Sequence, residues 1–144
     1  MLELNKIYNQ DCLEAMKNIE DNSIDLIVTD PPYKTIQGGN KTKKWQEKYG
    51  GSVLKNNDGK IFQHNDIEIK SWIKEAYRVL KNETHFYCFT NVLNINSMIE
   101  IAEDTGFYLH NILIWKKNNC LANRWYMKNA EFILFFKKRT SKKH

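Results

Sequence analysis

Four consecutive residues, Asp30, Pro31, Pro32 and Tyr33, close the apolar run "SIDLIVT" and stand directly before a lysine-rich stretch. Each proline holds φ at about −65° and donates no N–H. The Asp30 carboxylate and a free carbonyl are thereby presented as two rigid acceptors, with the ring of Tyr33 beside them. A planar NH2 group suits such a pair. The exocyclic amine of a nucleobase is a poor nucleophile because its lone pair is delocalised into the ring. Acceptors on both N–H bonds favour a pyramidal nitrogen, and preorganised groups of this kind act strongly where charge develops. A base reaches such a site only after leaving the duplex, and an aromatic face then helps to hold it. The competing reading is a plain strand-ending turn, with Asp30 as a cap and Tyr33 packed. The apolar run before it and the lysines after it favour the chemical reading.

The elements that must position these residues follow from periodicity. Lys6–Asn9 reads as a short strand. "DCLEAMKNIEDN" reads as a helix capped by Asp11, with Cys12, Ala15, Met16 and Ile19 on one face. Residues 24–29 are apolar on both faces, the pattern of a central strand between two helical layers. From Lys34 to His64 no period is sustained, and glycines punctuate the segment. A connection of that length is functional or disordered. Residues 66–81 then form an amphipathic helix with Asn65 or Asp66 as cap. A strand at 84–91, a helix stopped by Gly106 and strands at 107–117 and 131–138 complete the set. Strands alternating with helices predict an α/β sheet with helices on both faces.

Composition narrows the class. The chain has 144 residues, 42% apolar and 27% charged, which predicts one ordinary globular domain spanning 1–144. It contains no apolar run long enough for a membrane span and begins without a secretory block, so the cytoplasm is the expected location. Cys12, Cys88 and Cys120 are far apart and the four histidines are scattered, which supports neither a metal site nor a disulfide framework. The net charge of +5 is unevenly placed. Residues 1–33 are acidic, 34–60 hold seven lysines against two acids, and the end, "KKRTSKKH" (137–144), reads as a basic tail. Lysine clusters of this kind suit a polyanion such as nucleic acid, although a solvated loop and tail would look the same.

With these residues in place, the chain resembles a known family. "YNQDCLEAMKNIEDNSIDLIVTDPPY" is similar to the N-terminal catalytic block of DNA amino-methyltransferases, the adenine-N6 and cytosine-N4 enzymes whose catalytic motif precedes the cofactor motif. The likeness continues through "WIKEAYRVLK", "FYCFTN", "GFYLHNILIWKKNN" and "NAEFILFFKK". It implies a partial Rossmann-like, S-adenosylmethionine-dependent methyltransferase sheet. It also implies that Asp30, Pro31 and Tyr33, shaped by Pro32, receive the target amine. Asp11 and Cys12 match the point where the family meets the adenine of S-adenosylmethionine. Lys34, Lys41, Lys43, Lys44 and Lys48 would lie in a mobile target-side loop over DNA. Asp as the first motif residue leans towards adenine.

The departures shape the remaining expectations. Nothing after Phe136 resembles the family's glycine-rich F-x-G-x-G turn, so the chain is similar to the catalytic half without the cofactor half. Asn82 and Glu83 replace a common Pro-Gly. A fragment, one part of a split enzyme, a non-catalytic nucleic-acid-binding remnant, or an enzyme acting on RNA or a protein amide all remain open. An open apolar edge invites pairing, so Ile24–Thr29 is expected to be covered by a second copy, by a second chain carrying the glycine-rich segment, or by the N-terminal strand collapsed against it.

Overall fold

The structure, a computed structural model, describes residues 2–32, 67–121 and 128–140. The chain divides into two units, Met1–Pro31 with Glu68–His144, and Pro32–Ile67. Tyr33 and the lysines expected over DNA (Lys34, Lys41, Lys43, Lys44 and Lys48) fall in the second unit and lie outside the described residues. The first unit holds every described helix and strand.

Four strands, β1 (Ile24–Thr29), β2 (Leu80–Thr90), β3 (Phe107–Leu121) and β4 (Lys128–Lys138), form a mixed sheet in the order β1-β2-β4-β3. β1 runs parallel to β2, while β4 is antiparallel to both β2 and β3. Three helices accompany it: α1 (Cys12–Met16), α2 (Ile69–Val79) and α3 (Ile95–Thr105). α2 buries Trp72, Ile73, Ala76 and Val79, a spacing that keeps one stripe on the sheet. α3 buries Met98 and Ala102 and ends at Gly106, whose φ of 116° is open to glycine. A Cβ at Gly106 would meet the Tyr77 hydroxyl at 2.9 Å, so the same glycine lets Tyr77 pack edge-on against Phe107.

Strand alternation builds the core. Phe86, Cys88 and Thr90 of β2 point to the helices, beside Leu134 and Phe136 of β4. Trp72 meets the edge of Phe86, which stacks on Phe136 at 5.6 Å. Met98 Sδ lies 3.2 Å from Cys88 Sγ. The opposite face carries His85, Tyr87 and Phe89, with Tyr87 stacked on Phe135 at 4.7 Å. The α/β class read from the sequence is therefore present. The helices expected on both faces group, among the described residues, on one.

Two side chains bind the N-terminal segment to this core. Arg78 donates to Met16 O (2.7 Å), Ile19 O (2.9 Å), Glu75 Oε2 and Asp21 Oδ1. Lys138 is buried, and its Nζ donates to Asn22 Oδ1, Tyr77 O and Leu80 O, each at 2.7 Å. Lys137 and Lys138, read as the start of a basic tail, are thus strand residues. Lys137 pairs with Glu83 at 2.7 Å; with Thr140 also donating, it holds the Glu83 carboxyl down at about 2.

Several expectations are corrected. Residues 6–9 form no strand, and Ile7 is fully exposed because no described strand stands there to pair with it. α1 stops at Met16, after which the chain closes in tighter turns (Asn18 N to Ala15 O, Ile19 N to Met16 O) while Met16 O and Ile19 O also accept from Arg78. α2 begins at Ile69 after Glu68, later than the Asn65 or Asp66 cap. β1 is an edge strand among the described residues. Leu26 and Val28 are 52% and 60% exposed, so its second apolar face has no cover here.

Replacing Arg78 with Ala strands several acceptors at once. We expect a loss of about 2–3 kcal/mol in urea unfolding, since bonds to a charged donor are worth more than neutral ones. Arg78→Lys should recover only part of it, because an ammonium lacks the planar fork. A loss in Arg78→Ala below about 0.5 kcal/mol, the size of an ordinary surface change, would show that the clasp is dispensable.

Candidate target-amine site

Parallel pairing of β1 with β2 brings the carboxyl ends of both strands to one end of the sheet, where ligands of such sheets gather. Asp30 follows the last residue of β1 there, Pro31 is buried and Pro32 is exposed. The buried Pro31 anchors the segment that carries the Asp30 carboxylate. The structure thus places the first two residues of the motif together at a strand end.

Charges on the far strands also act on Asp30. Glu131 of β4 lies opposite Trp115 of β3 in the ladder, and Lys117 forms an ion pair with Glu131. Trp115 meets Phe89 edge to face at 6.1 Å, with Lys117 Nζ 5.3 Å from its ring centre. Although Asp30 keeps an exposed surface, local enclosure raises its carboxyl above the usual carboxylate range. The negative charge of Glu131 adds to that shift and Lys117 opposes it. Desolvation favours the neutral acid and like charge does the same. Cys88, buried under β2, has its thiol pushed far up by burial first and by Asp30 second. It is no thiolate nucleophile.

Asp11 and Cys12 stand at the start of α1. Asp11 Oδ1 accepts from Leu13 N at 2.9 Å and Glu14 N at 3.0 Å, as its predicted capping role requires. Both capping bonds use Oδ1, which leaves Oδ2 able to accept from an amine of a ligand. Cys12 is exposed beside it. Neither residue bonds to Asp30 directly. The clasp of Arg78 on the end of α1 is what holds this helix to the body that carries Asp30.

Reading by motif missed Glu131 and Lys117 as charges felt at Asp30, and the packing of Phe89 against Trp115 on the same sheet face. The run Leu113, Ile114, Trp115, Lys116 and Lys117 is visible in the sequence as an apolar stretch ending in a tryptophan and two lysines. Which of these residues share a face with Phe89 depends on ladder register, and spacing alone does not give that.

A mixed sheet with an Asp-Pro-Pro segment at the end of a parallel edge strand matches one class of protein. The family model for DNA methylase, N6_N4_Mtase, covers residues 24–144, and the chain belongs to that family. Among curated proteins it is 31% identical over 120 residues to Type II methyltransferase M.HinfI of Haemophilus influenzae, covering 83% of this chain and 33% of that protein. It is 32% identical over 132 residues to Type II methyltransferase M.HpaI of Haemophilus parainfluenzae (90% and 38%). To Type II methyltransferase M2.MboI of Moraxella bovis it is 29% identical over 144 residues (96% and 51%). The chain therefore spans between a third and a half of these relatives. Its fold is similar to that of the M1.HpyAVI–SAM complex, with a TM-score of 0.63 at 21% identity, over 95% of this chain and 55% of that one. It is also similar to PvuII DNA methyltransferase (cytosine-N4-specific), with a TM-score of 0.57 at 19% identity, over 90% and 48%.

The electrostatics make a prediction of sign. Glu131→Gln removes a charge that disfavours ionisation, so the Asp30 pKa should fall. Lys117→Met removes a charge that favours it, so the Asp30 pKa should rise further. A carboxyl-carbon NMR titration of Asp30 reads both, and shifts of the same sign would refute the coupling.

Proposed function

We propose that this chain is the catalytic part of an S-adenosylmethionine-dependent DNA amino-methyltransferase acting on adenine N6. The observation that carries the reading is the Asp30–Pro31 pair, a carboxylate and a buried, donor-less proline at the end of β1. Asp30 and the Pro31 carbonyl accept the two N–H bonds of the extruded base and free its nitrogen lone pair. The Asp30 carboxylate, with its affinity for a proton raised, is also suited to take the proton the amine sheds. Tyr33 stacks on the ring. Asp as the leading motif residue supports adenine over cytosine.

The cofactor supplies the methyl group on a sulfonium centre when bound. Asp11, through Oδ2, and Cys12 hold its adenine end. The related M1.HpyAVI structure is itself a SAM complex, which supports the assignment. Lys34, Lys41, Lys43, Lys44 and Lys48 contact DNA phosphates. The exposed edge of β1 takes a further strand from a second chain or a second copy.

Asp30→Ala should abolish methyl transfer in the native assembly while the fold survives. The sign of its stability effect follows from linkage. A raised folded-state pKa means that the native state binds the Asp30 proton more tightly than the unfolded chain does. Asp30 therefore weakens the fold as pH rises through the ordinary carboxylate range to its folded value. At pH 7 the Asp30→Asn protein should be as stable as wild type or more so. Digestion of methylated DNA to nucleosides should yield N6-methyladenine. N4-methylcytosine would overturn the adenine assignment, and unchanged turnover in Asp30→Ala would overturn the site.

Replacing Lys41, Lys43 and Lys44 together should weaken DNA binding across sequences. The slope of log K against log salt should drop by up to about three, near one unit for each lost phosphate contact. A strictly monomeric preparation should bind S-adenosylmethionine weakly by calorimetry; micromolar affinity there would refute the need for a completing strand.

A further inference from the structure

The edge of the sheet farthest from Asp30 is unprotected. β3 ends the order β1-β2-β4-β3, so its outer backbone groups have no ladder to join among the described residues. Such an edge is a template for another strand unless charge, proline, a bulge or a covering element blunts it. The stretch Asn111–Trp115 carries no Pro, Gly or charged residue. It pairs with Phe135–Glu131 of β4 without interruption, between irregularities at Leu109/Asn111 and Lys116/Leu121. Exposure tells what kind of element is missing. Ile112 and Ile114 stand on the helix side, level with Leu134 and Phe132, and are 38% and 66% exposed. Leu113 and Trp115 stand on the other face and are 37% and 52% exposed. A helix docked on the sheet would cover one of these pairs and leave the other bare. A strand laid alongside β3 adjoins both, because directly opposed side chains on either face come within about 5 Å.

We propose that a second copy of this chain supplies that strand, β3 against β3, antiparallel about a twofold axis perpendicular to the sheet. The segment is complementary to itself in this arrangement. Centred on Leu113, the pairing sets Ile112 against Ile114 of the second copy on the helix side. On the other face Leu113 meets its own equivalent, and Asn111 meets Trp115 of the second copy. Lys116 and Lys117 fall at opposite ends of the junction, whereas a parallel pairing in register would set each lysine against its equivalent, and like charges directly opposite repel. The contact uses the same patch on both copies and therefore closes on itself. Asp30 lies at the far edge of each copy, so the proposal is independent of its reading as the target-amine site. Residues Asn111–Trp115 from each copy make an interface at or below about 1,200 Å², the low end for specific pairs, so association in the micromolar range is expected.

The test is sedimentation equilibrium of the full chain over a concentration series through the micromolar range, which should give a monomer–dimer equilibrium. Ile114→Lys alters the most exposed of these positions, and circular dichroism establishes that the variant is folded. Each dimer contains two Ile112–Ile114 pairs, so the change acts twice and should weaken association about tenfold. Adding Ile112→Glu to Ile114→Lys sets opposite charges across the axis and should recover part of the loss, which reads the register. Val28→Lys, on the edge strand β1, should leave this association unchanged. A chain that stays monomeric throughout the series would overturn the proposal. So would unchanged association in folded Ile114→Lys, or association lost in Val28→Lys instead.

Discussion

The guanidinium of Arg78 is the joint on which the placement of the site depends. It takes two backbone carbonyls at and after the end of α1 and two carboxylates, one on its own helix and one in the turn before β1. A side chain with five donors in a planar fork can satisfy such a set, and an ammonium cannot. Lys138 performs the complementary task from β4, binding the turn at Asn22 and the α2–β2 junction through neutral acceptors. Burial lowers its pKa, and the charge is tolerated because all three protons are placed. Without these two cations the N-terminal segment would have few buried contacts to fix it, since α1 buries no residue at all.

Much of this arrangement was legible in the residues. The apolar stripe of α2, the capping carboxylate of Asp11 and the glycine that ends α3 are local features, and local physics specified them. The position of Asp30 and Pro31 at a strand end was readable for the same reason. What the sequence concealed depends on neighbours. The apolar pattern of β1 describes a strand covered on both faces, but cover comes from other elements, and here Leu26 and Val28 face outward. The strand expected at 6–9 has no partner among the described residues, and a strand without one has no ladder to form. Arg78 was visible as part of E-x-x-R, yet its reach to Met16 and Ile19 spans the chain and no local rule foretells it.

The site combines rigidity with a charge held in tension. Pro31 is buried and fixes the chain, while Asp30 sits where enclosure and Glu131 both oppose its ionisation. Enclosure is the larger cause, and Glu131 and Lys117 modulate it from the far strands, so the proton affinity of the Asp30 carboxyl depends on the sheet as well as on its own segment. The aromatic pair Phe89 and Trp115 lies on the sheet face that, among the described residues, carries no helix.

The one-sided pairing of β1 has a dynamic consequence. β2, β4 and β3 are stitched by two long antiparallel ladders, whereas β1 is held by a single short parallel one whose register slips between Ile24 and Leu26. Opening free energies are lowest where few buried contacts resist them. Amide protection should therefore step down from β4 towards β1, and the strand that carries Asp30 opens before the rest of the sheet. A strand pairing with its outer edge would close that opening and further stiffen the segment that carries Asp30.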